Sequence, residues 1–375
     1  MAVPTTVETV QKEKGYLAQL DGLRFIAVTL VMIDHWLGER VQLPLGYFGV
    51  NLFFVLSGFL ITRILIISKA QDNQLERTHS RSLKQFYIRR SLRIFPVYYI
   101  MLLVLALINF PSIRATLPWF LTYTQNIWVA IHHTWFGAVD HLWSLAVEEQ
   151  YYLFFPFLVF FIPNRFLLRS LFFLIGISVL LRVYLFATGA AWMVQFVMMP
   201  TCLDAFGMGS VLAYGMIFHR ERFTKWVSSS WLLLASLALY AFDLYMMKSL
   251  APSRNLFTDV FDRFFTSLFC FFLIGKAVIG FKGVFKTILE HSVSTYLGQI
   301  SYGLYLFHNL VFNAYHTPPN AITLRIWNRL TEWTPFLTDS PARLLYFYVV
   351  TVSLATVSWF LIEKPFNSLK SRFAY

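Results

Sequence analysis

Gly22-Leu23-Arg24-Phe25-Ile26-Ala27-Val28-Thr29-Leu30-Val31-Met32-Ile33-Asp34-His35-Trp36-Leu37 is apolar except for Thr29 and three ionisable positions. Such a run is long enough to cross a bilayer and too apolar to lie in water. Arg24 and His35 are eleven residues apart, which advances a helix by three turns and about 20°, so both share one face at roughly 16 Å separation. Asp21 precedes Arg24 by three residues on that face, and Asp34 points about 100° away from His35. Charged and titratable groups in lipid are costly unless they face a protein interior or a wet cavity, where they mark function. The alternative is that Arg24 snorkels to the headgroups and His35 bonds a neighbouring helix.

Outward from this run the same pattern repeats. The chain has 375 residues, of which 57% are hydrophobic and only 13% charged; its mean hydropathy is +0.59. Those values exclude an ordinary soluble fold, for which about 25% charge is usual. Ten apolar stretches read as spans: 22–38, 47–68, 94–112, 145–162, 166–187, 201–218, 230–247, 257–280, 296–314 and 344–363. The expectation is an all-α integral membrane protein, a bundle of about ten transmembrane helices. Of these spans, 201–218 is the weakest candidate. With the N-terminus inside, about nineteen Lys and Arg, including Lys12 and Lys14, collect on the cytoplasmic side against about six outside. Both termini are therefore expected in the cytoplasm.

The net charge of +12 fits this asymmetry better than nucleic-acid binding, because the basic residues are spread over connections and form no soluble face. The first twenty residues lack an apolar core, so no cleavable signal peptide is expected. Cys202 and Cys270 have no metal-ligand spacing and suggest neither a disulfide framework nor a zinc site. Two connections are long. Residues 70–93 are polar and basic and are expected inside; 113–144 are rich in aromatics and histidine and are expected outside, folding back into the interface.

Three further constellations carry chemistry. In Phe86-Tyr87-Ile88-Arg89-Arg90-Ser91-Leu92-Arg93-Ile94-Phe95-Pro96, three arginines cluster where the third span enters the membrane. Guanidinium groups that close suit phosphate, and equally anionic lipid headgroups. In His141-Leu142-Trp143-Ser144-Leu145-Ala146-Val147-Glu148-Glu149-Gln150-Tyr151-Tyr152, Ser144, Glu148 and Tyr151 or Tyr152 share a face. Glu148 needs a partner, with Arg24, His35 or Arg182 as candidates. Ser301, Tyr305 and His308 line one face of the ninth span. Asp204 precedes Gly207 and Gly209, which allow close helix contact. Asp262 and Arg263 read as interface anchors, and Glu363-Lys364-Pro365 as a helix stop and cytoplasmic anchor.

At these residues the chain resembles acyltransferase family 3. The likeness covers nearly all of it: Leu20-Asp21-Gly22-Leu23-Arg24 with His35; Gly49 to Phe59; Arg89-Arg90 with Arg93-Ile94-Phe95-Pro96; Trp143-Ser144-Leu145 with Glu148-Glu149-Gln150; Ser301-Tyr302-Gly303 with His308; and Glu363-Lys364-Pro365. The resemblance implies a single membrane domain over 1–375, without the esterase-like extracytoplasmic domain that some members carry. It also implies a multi-pass protein of the bacterial inner membrane. The reaction implied moves an acetyl or other short acyl group from cytoplasmic acetyl-CoA, or another acyl-CoA, to an outer hydroxyl. In most members that hydroxyl is on a carbohydrate of a surface polysaccharide; in some it is on a small molecule. A separate extracytoplasmic transferase is a further partner to weigh, and no metal is implied.

On that reading His35, Arg24, Glu148 and Asp21 are catalytic, His35 serving as general base or transient acyl carrier, with Glu148 or Asp21 setting its charge. Arg89, Arg90 and Arg93 hold the CoA phosphates. The roughly 16 Å from Arg24 to His35 compares with an extended pantetheine arm. Tyr123, Asn126, Ser144 and His308 are expected to contact the acceptor, with His132 and His133 nearby. Many members have an arginine two residues before the aspartate of the sixth span, where this chain has Cys202. Arg182 is then the candidate partner of Asp204. The rival from another class is a proton-coupled transporter or exporter with a relay through His35, Glu148, Asp204 and His308; a third is a structural subunit of a polysaccharide assembly complex.

Overall fold

The computed structural model describes residues 16–40, 43–110, 113–316, 322–333 and 340–373, so Lys12 and Lys14 lie outside the described residues. Among those described there is no strand. The helices are α1 (Ala18–Leu37), α2 (Leu45–Gln74), α3 (Ser80–Leu107), α4 (Ile113–Leu121), α5 (Gln125–His132), α6 (Trp143–Phe161), α7 (Asn164–Ala187), α8 (Trp192–Val197) and α9 (Leu203–Phe218). They continue as α10 (Arg220–Ser228), α11 (Ser230–Ser249), α12 (Asp262–Ile279), α13 (Gly283–Glu290), α14 (Ser292–Gln299), α15 (Ser301–His316), α16 (Ile322–Trp333) and α17 (Ser340–Ser358).

Two close approaches set the centre. Any side chain at Gly58 of α2 would meet the backbone of Phe206 in α9, and any at Gly209 would meet the carbonyl of Val55. Thr62 and Ser210 then bond across the seam at 2.8 Å. Without a hydrophobic drive between helices in lipid, small residues and buried hydroxyls are what hold two spans together. The stretch 201–218, weakest as a sequence signal, is thus central: Met199–Phe218 is 83% buried. The entry to α1 is clamped similarly, with Gly22 against Leu289 of α13 and Gly298 of α14 against the Asp21 backbone.

Among the described residues six helices are long and apolar enough to cross a membrane, or seven if α12 and α13, bent by 86°, count as one. Three of the ten expected spans fall outside that set for physical reasons. α1 carries Asp21, Arg24 and Asp34, α6 carries Glu148 and Glu149, and 296–314 is broken at Ile300 between α14 and α15.

Other expectations need correcting. The basic stretch 70–93 is not a long connection: α2 runs on to Gln74 and α3 starts at Ser80, because an amphipathic basic turn continues a helix beyond the apolar core without raising hydropathy. Asp262 and Arg263 are buried, 6% and 3% exposed, and so anchor nothing to an interface. Pro365 stops no helix; it follows directly on a π-helical turn, Trp359–Glu363, in a helix that runs on to Phe373, and such a bulge is how a helix passes a residue without an N–H. Glu363 is buried against Ser358, not an exposed anchor.

Candidate active site

A cleft of about 750 Å³, its opening to solvent included, lies between α1, α2, α3, α6 and α15. Arg24, Arg90 and Arg93 face into it together with Ser57, Ser144, Glu148, Tyr152, Ser301, Tyr302 and Tyr305. Phe53, Phe54, Leu60 and Ile94 complete an apolar wall. A mostly apolar cleft with a few convergent polar groups is the usual form of a small-molecule site.

Each polar group is held by a neighbour. Asp21 pairs with Arg24 and accepts from the Tyr16 phenol at 2.6 Å. Burial and then the Asp21 carboxylate hold that phenol, just ahead of α1, above its ordinary pKa, so it stays a donor. Asp21 therefore positions Arg24 and does not line the cavity. Glu148 accepts from Ser57 at 2.6 Å, and Ser57 from Tyr152 at 3.0 Å. The Arg90 guanidinium lies over the Tyr152 ring at 5.2 Å, a cation–π contact. Among the described residues neither Arg90 nor Arg93 is committed to an ion pair. Glu148 thus takes Ser57 as its hydrogen-bond partner, in place of Arg24, His35 or Arg182.

His35 is not one of the lining residues. It belongs to a cluster with His141 and His308 that adjoins the cavity through Tyr305. Tyr305 bonds Ser144 at 2.5 Å and the His141 carbonyl at 2.8 Å, and its ring lies 5.6 Å from that of His308. His35 Nδ1 meets His308 Nε2 at 2.8 Å, while His308 Nδ1 meets the Tyr305 carbonyl at 2.7 Å. A carbonyl only accepts, so His308 Nδ1 carries a proton and its Nε2 a lone pair. His35 Nδ1 must then donate, which leaves the lone pair of His35 on Nε2. That nitrogen is not among the buried atoms lacking a partner. The group that orients His35 is a histidine; no carboxylate among the described residues bonds it.

The expected set divides accordingly. Arg24, Arg90, Arg93, Ser144 and Glu148 come together in one cavity. His308 sits on His35 and does not line the cavity. Arg89 turns away and donates to the carbonyls of Lys370 and Phe373 at 2.9 and 3.3 Å. Tyr123 stacks on Tyr98 at 4.4 Å, and Asn126 is fully buried, bonding Gln150 and the Val197 carbonyl. Neither lines the cavity. His132 is exposed and stacked on Trp128. Arg182 pairs with Asp204, as the missing arginine at Cys202 suggested, and also donates to the Val260 and Thr201 carbonyls. That buried pin does not line the cavity. Ser57, Tyr302 and His141 stand in the motifs quoted above without a role of their own; His141 sits in the turn ahead of α6, where no helical period marks a face.

Residues 17–363 match the family model described as an acyltransferase domain, that of acyltransferase family 3. The chain belongs to this family. Its relatives include a Staphylococcus aureus (strain COL) protein named provisionally as an O-acetyltransferase, 26% identical over 96% of this chain and 58% of the relative. The O-acetyltransferase OatA of Staphylococcus aureus (strain NCTC 8325 / PS 47) is 30% identical over 78% of this chain and 50% of its own length. The peptidoglycan O-acetyltransferase OatA of Listeria monocytogenes is 34% identical over 40% of this chain and 25% of its own. The chain spans about half the length of the curated relatives that it matches over most of its own length. No solved structure matches it. In this acyltransferase family 3 chain, then, the family's arginine-and-histidine pair divides between the cavity and the histidine cluster beside it.

Proposed function

We propose that this protein is a membrane O-acyltransferase that moves an acetyl or other short acyl group from cytoplasmic acyl-CoA to a carbohydrate hydroxyl. The acceptor is a surface polysaccharide or its lipid-linked precursor, and the setting is a bacterial inner membrane with both termini inside. The names of the relatives support acetyl transfer, and one of them names peptidoglycan. The observation that carries the reading is the juxtaposition of Arg24, Arg90 and Arg93 in one cavity with a histidine whose Nε2 is the free base.

In this reaction the arginines hold the phosphates of the donor, and its pantetheine arm follows the apolar wall of Phe53, Phe54 and Leu60. His35 Nε2 takes the acceptor O–H proton as the oxygen attacks the thioester carbonyl. The C–S bond breaks, and the CoA thiolate leaves and is protonated. Tyr305 and Ser144 close the end of the cavity nearest His308, their hydroxyl protons given to the His141 carbonyl or to each other. The same lone pair would serve if the acyl group rested first on His35.

The test is acetyl-CoA labelled in the acetyl group, given to the purified full chain. Binding that depends on Arg90 and Arg93, and label passing to glycan in membranes, are expected. A transporter would bind no donor and transfer no label. Trapping of labelled protein without acceptor separates an acyl-histidine from direct attack.

A further inference from the structure

A second cavity, of about 1040 Å³, is walled by Tyr47 at the start of α2, Trp192 and Phe196 of α8, and Arg254, Asp259 and Asp262 at the entry to α12. The reaction above uses none of them. We propose that this cavity holds the acceptor, as a neutral polyhydroxylated chain laid on the aromatic faces with its hydroxyls bonded by the carboxylates. The inference rests on the acyl-transfer reading and names its acceptor site.

The lining chemistry suits a sugar. Trp192 is 46% exposed, so its ring is free to be covered. It lies 5.5 Å from Phe196, which lies 5.7 Å from Tyr47, making one aromatic wall. A pyranose presents an apolar C–H face and a rim of hydroxyls, and so needs an aromatic surface edged by both donors and acceptors.

Charge argues against an anion. Arg254 is paired with Asp259 and donates to the Ala190 carbonyl. Arg182 is paired with Asp204. Arg263 donates to Asn51 and to the Phe196 carbonyl, with its guanidinium 5.2 Å from the Tyr47 ring. A phosphate would have to draw one of these away from its partners and sit beside Asp259, whose carboxylate competes for Arg254. The reaction cavity differs, since Arg24, Arg90 and Arg93 line it with Glu148 as the one carboxylate in its wall.

Placement completes the case. Phe54 lines the reaction cavity yet lies 6.0 Å from the Arg263 guanidinium, so a single ring layer separates the two spaces. Gly46, beside Tyr47, abuts the Asp34 side chain, and Asp34 adjoins His35. The second cavity thus comes near the His35 end of α1 by way of Tyr47, Gly46 and Asp34. On the charge asymmetry of the connections this is the outer end of the bundle.

Trp192→Ala in the full chain tests it, in membranes carrying the endogenous glycan, with labelled acetyl-CoA as donor. Transfer to glycan should fall about tenfold or more, while acetyl-CoA affinity of the solubilised protein shifts by less than about twofold. Trp192→Phe, which keeps a ring, should restore most of the rate. Wild-type transfer in Trp192→Ala, or equal loss of donor affinity, would overturn the proposal. So would inorganic pyrophosphate blocking transfer without displacing acetyl-CoA. Failure of the wild-type chain to bind acetyl-CoA would instead sink the acyl-transfer reading, before any variant is compared.

Discussion

His35 and His308 meet Nδ1 to Nε2 at 2.8 Å, and the Tyr305 carbonyl fixes which of the two donates. His308 is thereby a positioning residue for the base. His35→Ala should reduce acyl transfer by about 10²- to 10⁴-fold, the span expected for losing a general base. His308→Ala should lower kcat with the donor KM unchanged, because the His35 tautomer is no longer imposed. His308→Gln, which offers an amide oxygen as acceptor, should recover part of that loss. If His308→Ala changed only the donor KM, the histidine would belong to the donor site instead.

Arg90 and Arg93 line the cavity as uncommitted cations, whereas Arg89 serves the 369–373 turn. Arg90→Ala and Arg93→Ala should each raise the KM for acetyl-CoA by about tenfold, a plausible loss for one charge-assisted phosphate contact. They should leave acetyl-pantetheine, which lacks the nucleotide phosphates, little affected. Arg89→Ala should act mainly on stability. Steady-state kinetics with the two donors decides between these outcomes.

Glu148 is tied to Ser57 and Tyr152 in the same cavity. Glu148→Gln keeps the Ser57 hydrogen bond and removes a negative charge near where donor phosphates would enter. Donor affinity should hold or rise, while transfer falls by about tenfold or more as the field around the reacting groups changes. Equilibrium binding of acetyl-CoA, read beside the transfer rate, would show a parallel loss of both if Glu148 merely held the arginines in place.

Arg182 and Asp204 are 2% and 0% exposed. Arg182→Met strands a buried carboxylate and should destabilise the protein by about 3–5 kcal/mol, whereas pairing it with Asp204→Leu should restore most of that. Thermal unfolding in detergent measures both. If the double variant were no better than the single one, the hydrogen bonds of Arg182 to Val260 and Thr201 would matter more than the ion pair.

Gly209→Val drives a side chain into the Val55 carbonyl, and backbone cannot step aside; loss of monodisperse protein in gel filtration is expected. Gly176→Ala meets nothing within 4 Å and should be neutral or stabilise by about 0.4–1 kcal/mol. Equal behaviour of the two would remove the α2–α9 contact from its central place.

Much of the molecule was legible in one dimension. Apolar runs announce helices in lipid because nothing else satisfies the backbone there. Spacing by three, four and seven placed Ser301, Tyr305 and His308 on one face, and of the clustered arginines Arg90 and Arg93 share a cavity. The pairing of Arg182 with Asp204 followed from an absent arginine. Boundaries fared worse where a basic stretch prolongs an apolar helix: α2 runs on to Gln74 and α3 starts at Ser80, where the apolar runs end at 68 and begin at 94.

The residue types, their helical faces and the family itself were decided by the sequence, because local periodicity and motif order need no partner. Which residues meet was decided only by packing. Glycine at 58 and 209 lets α2 and α9 touch, which helps set how far α1, α3, α6 and α15 stand from them. That spacing brings His308 rather than a carboxylate to His35 and sends Asn126 to Gln150. Such contacts join residues up to 273 positions apart, a relationship that no local rule of spacing encodes.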